Sequence, residues 1–166
     1  TCAAPPASCS SIRRSSGSAG SGTCIRLDQD CTEVLILTCA HLFTERGDPN
    51  GRQLLGPIEV KFPDGRQFPG RLVHVDRDND LALVAFDGSV GFPSTALAAT
   101  APAAGETLWH VGYPLGRGPR TQSGRCVRAA DGMTQIAARF QSGDSGGGIF
   151  NARGELVSVA SGFYTH

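Results

Sequence analysis

Short apolar runs separated by turn residues recur along the chain about every ten residues, a spacing typical of β structure. Some runs alternate with polar positions and others form short buried stretches, while no segment keeps a helical period over three turns. The sequence therefore indicates an all-β fold of the sandwich or barrel type. The pattern predicts a short helical turn at 40–44 and strands at 8–14, 23–27, 34–38, 58–62, 67–75, 81–86, 107–111, 123–128, 133–138, 147–150 and 155–160.

Weakly patterned segments divide the chain into parts. Residues 1–19, rich in Ala, Ser, Pro and Gly, are predicted to form a loosely structured tail that includes the first short strand. Residues 91–104 are small and uncharged, which is typical of a linker between two units. The sequence thus predicts one β unit over 20–90 and a second over 105–166.

Composition narrows the classes of partner. The formal net charge is zero, so there is no electrostatic reason to expect nucleic acid as a partner. No apolar run approaches the roughly 18 residues that cross a bilayer, so no membrane partner is expected either. The 22 Gly and 10 Pro residues favour many turns between short strands.

Six cysteines, at positions 2, 9, 24, 31, 39 and 126, are an even number that is compatible with disulfides in an oxidising compartment. Six cysteines allow 15 complete pairings, among which the sequence does not choose. Buried free thiols are the alternative interpretation.

A glycine-rich loop at residues 142–148 (SGDSGGG) presents one candidate nucleophile, Ser145. Glycines beside a serine allow a tight loop, because they tolerate unusual dihedral angles and leave room for a substrate. The backbone N–H groups of Gly143 and Ser145 are the predicted oxyanion hole, which would stabilise the charge that develops in acyl transfer. A purely structural glycine-rich turn is the alternative interpretation.

Two further residues complete a candidate catalytic group. His41 ends the run 38–41 (TCAH), where a buried strand turns and can project the ring into a cleft as a general base. Asp80 directly precedes the apolar strand 81–86, so among three neighbouring carboxylates it is best placed to be buried and to orient His41. A zinc site that includes Cys39 and His41 is disfavoured, because the other histidines lack ligand spacing.

The chain order of these residues, His41, Asp80 and Ser145, is that of the chymotrypsin class. The motifs at 20–22 (GSG), 38–41, 76–84, 111–114 (VGYP) and 143–147 follow one another in an order that resembles bacterial trypsin-like serine peptidases of the chymotrypsin superfamily, and in particular the protease domain of Do-type periplasmic proteases. The resemblance spans roughly residues 20–163.

The resemblance implies two packed Greek-key β-barrels, over 20–90 and 105–166, with the active site in the crevice between them. His41 and Asp80 would come from the first barrel and Ser145 from the second. The family implies that residues 161–163 form the strand that pairs with substrate backbone: Ser161, Gly162 and Phe163. Ser161 would also lie near the triad aspartate.

Arg139 lies six residues before Ser145, where this fold often places the base of the specificity pocket. An arginine there would favour acidic substrate side chains by charge pairing. The alternative is that Arg139 faces solvent at the end of a strand.

Two departures from the family pattern concern the ends of the chain. No activation-type N-terminus precedes the first barrel, so Asp144 is expected to find another partner for its carboxylate. The sequence ends at His166, three residues after the implied substrate strand, so the second barrel is expected to be truncated at its C-terminus.

The leading hypothesis is a secreted or periplasmic serine endopeptidase that acts on polypeptides through an acyl-enzyme on Ser145 and needs no metal and no cofactor. The alternative is a catalytically latent or non-catalytic binding module of the protease fold. An esterase-like hydrolase is a third hypothesis, because the same triad attacks esters. The sequence leaves the oligomeric state open.

Overall fold

The computed structural model describes residues 9–14, 17–25, 33–44, 56–88 and 92–162. This part of the chain is almost entirely β structure, joined by tight turns and by short 3-10 turns at Ala40–Leu42 and Pro114–Gly116. The strands are β1 (Cys9–Arg14), β2 (Ala19–Ile25), β3 (Glu33–Thr38), β4 (Ile58–Lys61), β5 (Gln67–Asp76), β6 (Leu81–Asp87), β7 (Thr107–Gly112), β8 (Arg120–Ala130), β9 (Met133–Ala137), β10 (Gly148–Phe150) and β11 (Leu156–Val159).

Strands β1 to β6 form a closed antiparallel barrel in the order β1-β2-β3-β6-β5-β4. Strand β1 closes it, because it pairs with β2 on one side and with β4 on the other. The sequence placed the start of the first unit at residue 20, whereas this pairing brings Cys9–Arg14 into the barrel as well. Closure leaves the barrel without free strand edges.

The barrel core combines aliphatic and aromatic side chains. Four phenylalanines pack edge to face or stacked, with ring centroids 4.6 to 5.9 Å apart: Phe62, Phe68, Phe86 and Phe92. Fully buried Ile36 and Val84 belong to the same core cluster. They come from β3 and β6 and lie directly opposite each other in the ladder that joins these strands. The apolar residues that predicted these strands therefore point into the barrel interior.

Strands β7 to β11 form a five-stranded antiparallel sheet in the order β11-β10-β7-β8-β9, which is half of a second barrel. Leu108, Cys126 and Ile149 are buried at its core. The prediction of an all-β fold is confirmed, and each predicted strand has a counterpart among β1 to β11.

A shared apolar cluster joins the barrel to the sheet. Ile25 of β2 packs with Val111, Phe150 and Leu156 of the sheet. The predicted linker adds backbone pairing, since the Thr95 N–H donates to Cys24 O at 2.9 Å. A second bridge joins Leu97 to Leu156. The connection between the two units is therefore fastened to both of them.

Three of the cysteines, Cys24, Cys39 and Cys126, are buried free thiols. For these three the free-thiol interpretation holds. Burial, together with the proximity of Cys9, raises the pKa of Cys24 to about 12. Burial also raises the pKa of Cys39 to about 12, with the nearby Asp80 carboxylate adding to the shift. Cys2 and Cys31 lie outside the described residues.

His110 of β7 is fully buried in the sheet and packs edge-on against Phe140, with ring centroids 4.7 Å apart. Its Nε2 lies 3.3 Å from the Asp144 carbonyl oxygen and its Nδ1 lies 3.4 Å from Gln122 Nε2. Because a carbonyl oxygen only accepts, Nε2 carries the proton and Nδ1 accepts from the Gln122 amide. Burial lowers the pKa of His110, and the Arg120 charge adds to the shift while Asp144 opposes it.

This burial predicts how stability depends on pH. Below about pH 6.5 the unfolded chain protonates His110 more readily than the folded chain does. The free energy of unfolding should therefore decrease as the pH is lowered, on the order of 1 kcal/mol for each pH unit. The substitution His110→Gln should flatten this dependence in urea unfolding measured between about pH 5 and pH 8. His74→Gln, at an exposed position of β5, is the control that should keep the wild-type slope. An unchanged slope in His110→Gln would contradict the prediction.

Candidate active site

Three separate segments bring the predicted site residues to the junction of barrel and sheet. His41 lies in the 3-10 turn that follows β3, and Asp80 lies in the turn between β5 and β6. Strands β3 and β6 are neighbours whose ends align at Thr38 and Ala82, so the two turns meet. The Ala40 N–H donates to the Asp80 carbonyl oxygen at 3.2 Å and joins the turns directly.

The Asp80 carboxylate holds His41 with both of its oxygens. Oδ1 accepts the His41 backbone N–H at 2.8 Å, and Oδ2 lies 2.8 Å from the ring Nδ1. Because a carboxylate only accepts, Nδ1 donates, and Nε2 is left as the basic nitrogen of the neutral ring. The arrangement fixes the tautomer that a general base needs.

Asp80 has a φ of 52°, in the left-handed region that non-glycine residues rarely adopt. Its carboxylate accepts a third hydrogen bond, from the Ser161 hydroxyl to Oδ2 at 2.5 Å. Burial disfavours the charged form, but the hydrogen bonds from the His41 ring, the Ser161 hydroxyl and the His41 amide together lower the pKa of Asp80. The contact between Ser161 and the aspartate that the resemblance implied is therefore present.

The free ring nitrogen of His41 faces a thiol. Nε2 lies 3.7 Å from Cys39 Sγ, and the His41 side chain is 43% exposed. Within the described residues the Ser145 hydroxyl has no hydrogen-bond partner, so His41 and Ser145 are not joined by a hydrogen bond in this structure. The Asp80–His41 pair is formed, and its link to the serine is open.

The loop that carries Ser145 is fastened to the first barrel through β2. The Ser21 N–H donates to the Ser145 carbonyl oxygen at 2.8 Å, and the Ser21 hydroxyl donates to the Gly143 carbonyl oxygen at 2.7 Å. That hydroxyl also accepts the Tyr113 N–H at 2.8 Å. Thr38 in turn donates its hydroxyl to Ser21 O at 2.7 Å. The GSG motif at 20–22 contains Ser21, but the sequence predicted no role for this residue.

Two backbone donors in this loop have no partner. Among the described residues, neither the Gly143 N–H nor the Ser145 N–H donates a hydrogen bond within the chain. Gly143 has a φ of 97°, and a Cβ there would lie 2.5 Å from the Tyr113 carbonyl oxygen. Only glycine fits this position. The loop therefore keeps two N–H groups available on either side of Asp144.

Asp144 is 1% exposed, and its carboxylate is held by Arg120 Nη2 at 3.1 Å and by the Gln141 N–H at 2.8 Å, both at Oδ2. This answers the question of its partner, which the sequence left open. Sequence reasoning missed Arg120, because it lies 24 residues before Asp144 on a different element.

A pocket of about 10 Å³ opens beside the serine, enough for one water molecule. Arg139 is exposed and does not line this pocket. Of the two interpretations of Arg139, the structure therefore agrees with the one in which the side chain faces solvent. Phe163 lies outside the described residues. The pocket is lined by Phe140, Gln141, Asp144, Ser145, Ala160, Ser161 and Gly162.

In the described part of the chain, no three His, Cys, Asp or Glu side chains lie close enough together to bind a metal ion. No helix among the described residues is long and apolar enough to span a membrane.

The sequence matches the family of the trypsin-like peptidase domain over residues 20–159. It is 32% identical to the putative protease Do-like 14 of Arabidopsis thaliana over 86% of this chain and 35% of that protein. It is 29% identical to the periplasmic serine endoprotease DegP of Salmonella typhimurium over 61% of this chain and 24% of that protein. The chain thus spans about a quarter to a third of the length of these relatives.

Solved structures share the fold. The serine endoprotease from Yersinia pestis superposes with a TM-score of 0.78 at 22% identity, covering 96% of this chain and 55% of that one. The active form of the Rv3671c protease from M. tuberculosis gives 0.77 at 22% identity, covering 96% and 71%. The chymotrypsin-like fold and the relationship to Do-type proteases are therefore confirmed. By its match over most of its length, the chain belongs to the family of trypsin-like peptidase domains.

Proposed function

We propose that this domain is a serine endopeptidase in which Ser145 is the nucleophile, His41 the general base and Asp80 the residue that orients it. The observation that carries the proposal is the two-oxygen contact of Asp80 with His41, at 2.8 Å to the amide and 2.8 Å to the ring. This contact leaves Nε2 as the acceptor for the proton that Ser145 must lose. Polypeptide substrates follow from the membership of a peptidase family.

The reaction would proceed in two halves. His41 Nε2 takes the Ser145 hydroxyl proton as the oxygen attacks a peptide carbonyl carbon, and the C–N bond then breaks as His41 returns the proton to the leaving amine. Water, activated by the same ring, hydrolyses the ester on Ser145 and restores the serine. The unpartnered N–H groups of Gly143 and Ser145 would stabilise the oxyanion in both halves.

Substrate backbone would pair with the segment after β11. Ser161 and Gly162 are exposed and line the pocket beside Ser145, so they are proposed to bind an extended peptide. Phe163, which follows them, was assigned to the same role by the resemblance. The domain is further proposed to be secreted or periplasmic, since the relatives DegP and DegQ are named as periplasmic proteases.

A latent or binding-only domain is the second candidate function. The observation that favours it is the open link between His41 and Ser145, with Nε2 lying 3.7 Å from Cys39 Sγ. Catalytic hydrogen bonds are often long before substrate binds, so this geometry is also compatible with an active enzyme. The two candidates differ in whether Ser145 reacts.

Labelling by a fluorophosphonate probe tests the proposal first. The wild-type chain should react covalently at Ser145 and hydrolyse an unstructured protein substrate, whereas Ser145→Ala should do neither. His41→Ala should lower the rate of hydrolysis about 10⁴-fold or more, because the general base is lost. Ser142→Ala, three residues away on the same loop, is the matched serine control and should label like wild type. A folded wild-type chain that does not label would favour the latent domain, and a chain that hydrolyses only esters would favour an esterase.

Removing the Ser161 hydroxyl should weaken the hold on Asp80. A hydrogen bond to a charged group contributes about 1.5–3 kcal/mol, so Ser161→Ala should lower kcat/KM about tenfold or more. The pKa of Asp80, followed by carboxyl-carbon NMR, should rise toward its ordinary value as the bond is lost. Ser158→Ala on β11 should change neither quantity. An Asp80 titration that is identical in Ser161→Ala and wild type would refute the contact.

The small pocket predicts the side chain accepted next to the scissile bond. With room for about one water molecule, it should favour small uncharged side chains. Arg139→Ala should leave the ranking of substrate side chains unchanged, because Arg139 is exposed and does not line the pocket. A peptide library that varies this position, read for both proteins, checks the expectation. A loss of cleavage after acidic residues in Arg139→Ala would instead support charge pairing by this arginine.

A further inference from the structure

The residue before the candidate nucleophile carries a buried negative charge. Asp144 is 1% exposed, and its Oδ1 has no hydrogen-bond partner among the described residues. Oδ2 accepts from the Gln141 N–H at 2.8 Å and from Arg120 Nη2 at 3.1 Å. A buried carboxylate is tolerated when a cation and hydrogen bonds compensate it. Of the cations that the structure describes, Arg120 alone is within ion-pair distance of this carboxylate.

Arg120 holds the nucleophile loop at two points. The same Nη2 that contacts Asp144 also donates to the Arg139 carbonyl oxygen at 2.9 Å. Arg139 and Asp144 lie at the two ends of the segment that leads into Ser145. One guanidinium, placed at the first residue of β8, thus fixes both ends of this segment from the second sheet.

Gln122 adds a parallel contact, because it lies two residues further along β8 and so projects from the same face of the strand as Arg120. Its Oε1 accepts the Arg139 N–H at 3.1 Å, and its amide nitrogen lies 3.4 Å from His110 Nδ1. The opposite ring nitrogen of His110 reaches the Asp144 carbonyl oxygen at 3.3 Å. Both the side chain and the backbone of Asp144 are therefore held by β7 and β8.

The consequence concerns the peptide groups on either side of Asp144. The Ser145 N–H belongs to the peptide group that follows Asp144, and the Gly143 N–H belongs to the peptide group one residue before the Gly143–Asp144 bond. Both N–H groups lack a partner among the described residues. A donor stabilises an oxyanion when its direction is set before the reaction. If the carboxylate lost its cation, Asp144 would gain by turning toward water, and the peptide groups would rotate with it.

We propose that Arg120 is a positioning residue that keeps the Gly143–Ser145 loop in its oxyanion-binding conformation through the Asp144 carboxylate. The inference rests on the proposed function, since it assigns a role within the same site. It differs from simple stabilisation of the fold, because it requires Arg120 to act on the chemical step and to act through Asp144.

Kinetics of Arg120→Ala provide the first test. Loss of one oxyanion donor lowers kcat about 10²–10³-fold, so a misplaced loop should lower kcat by about 100-fold with little change in KM. Low millimolar guanidinium should restore part of this loss by refilling the site. Arg128→Gln is the matched control, because Arg128 lies on the same strand and pairs with exposed Asp131. Wild-type kcat in Arg120→Ala would overturn the proposal.

A double-mutant cycle with Asp144→Asn tests whether Arg120 acts through Asp144. The double variant should be no slower than Asp144→Asn alone, because the partner of Arg120 is already neutral. Losses that multiply would show that Arg120 acts by another route and would overturn the proposal. If Arg120→Ala fails to fold, Arg120→Lys keeps the charge without the planar fork and should give an intermediate kcat. The proposal would also be contradicted if Arg120→Lys kept the wild-type kcat both alone and in combination with Asp144→Asn.

Amide hydrogen exchange separates this inference from the proposed function, because it does not require activity. The Asp144 N–H donates to Gln141 O at 3.0 Å and the Leu115 N–H donates to Ser142 O at 2.7 Å. Both amides should exchange about tenfold faster or more in Arg120→Ala than in wild type, with Arg128→Gln unchanged. A wild-type chain that does not label with fluorophosphonate would refute the proposed function alone. Unchanged exchange in Arg120→Ala would refute the role of Arg120.

Discussion

The site depends on one buried serine, Ser21 of β2. Its N–H, hydroxyl and carbonyl groups take part in four hydrogen bonds of 2.7 to 2.8 Å, to Ser145, Gly143, Tyr113 and Thr38. These bonds join the first barrel to the nucleophile loop and to the turn of the second sheet. Because a buried donor or acceptor is costly when it lacks a partner, the three bonds to Ser145, Gly143 and Tyr113 favour one relative placement of the two units.

Around this junction the two units contribute different kinds of group. The barrel supplies His41 and Asp80 from turns whose meeting is dictated by the pairing of β3 with β6. The sheet supplies the loop of Ser145 and, from β8, the cation that compensates Asp144. The strained backbone of Asp80, with a φ of 52°, is held by the Ala40 contact and by the three hydrogen bonds to its carboxylate. Strain of this kind persists only where surrounding contacts over-determine it.

Much of the fold could be read from the sequence, because apolar periodicity reports directly which side of a strand is buried. The run at 81–86 predicted a buried strand and singled out Asp80 among three carboxylates, and Asp80 is the carboxylate that contacts His41. Strand β1 was predicted as a short strand within a loosely structured tail, because that segment is rich in Ala, Ser, Pro and Gly. Its pairing with β2 and β4 brings it into the barrel. Arg120 and Asp144 lie 24 residues apart on different elements, so no local pattern connects them. The sequence contains fourteen other Lys and Arg residues, and nothing in it distinguishes Arg120 from them as the partner of Asp144.

The buried thiols of Cys24 and Cys39 have a practical consequence. Their raised pKa keeps both in the thiol form at neutral pH, and the thiolate is the reactive form. Alkylating reagents therefore reach these sulfurs only when the barrel opens. The rate at which Cys39 is modified therefore measures how often the barrel opens beside His41.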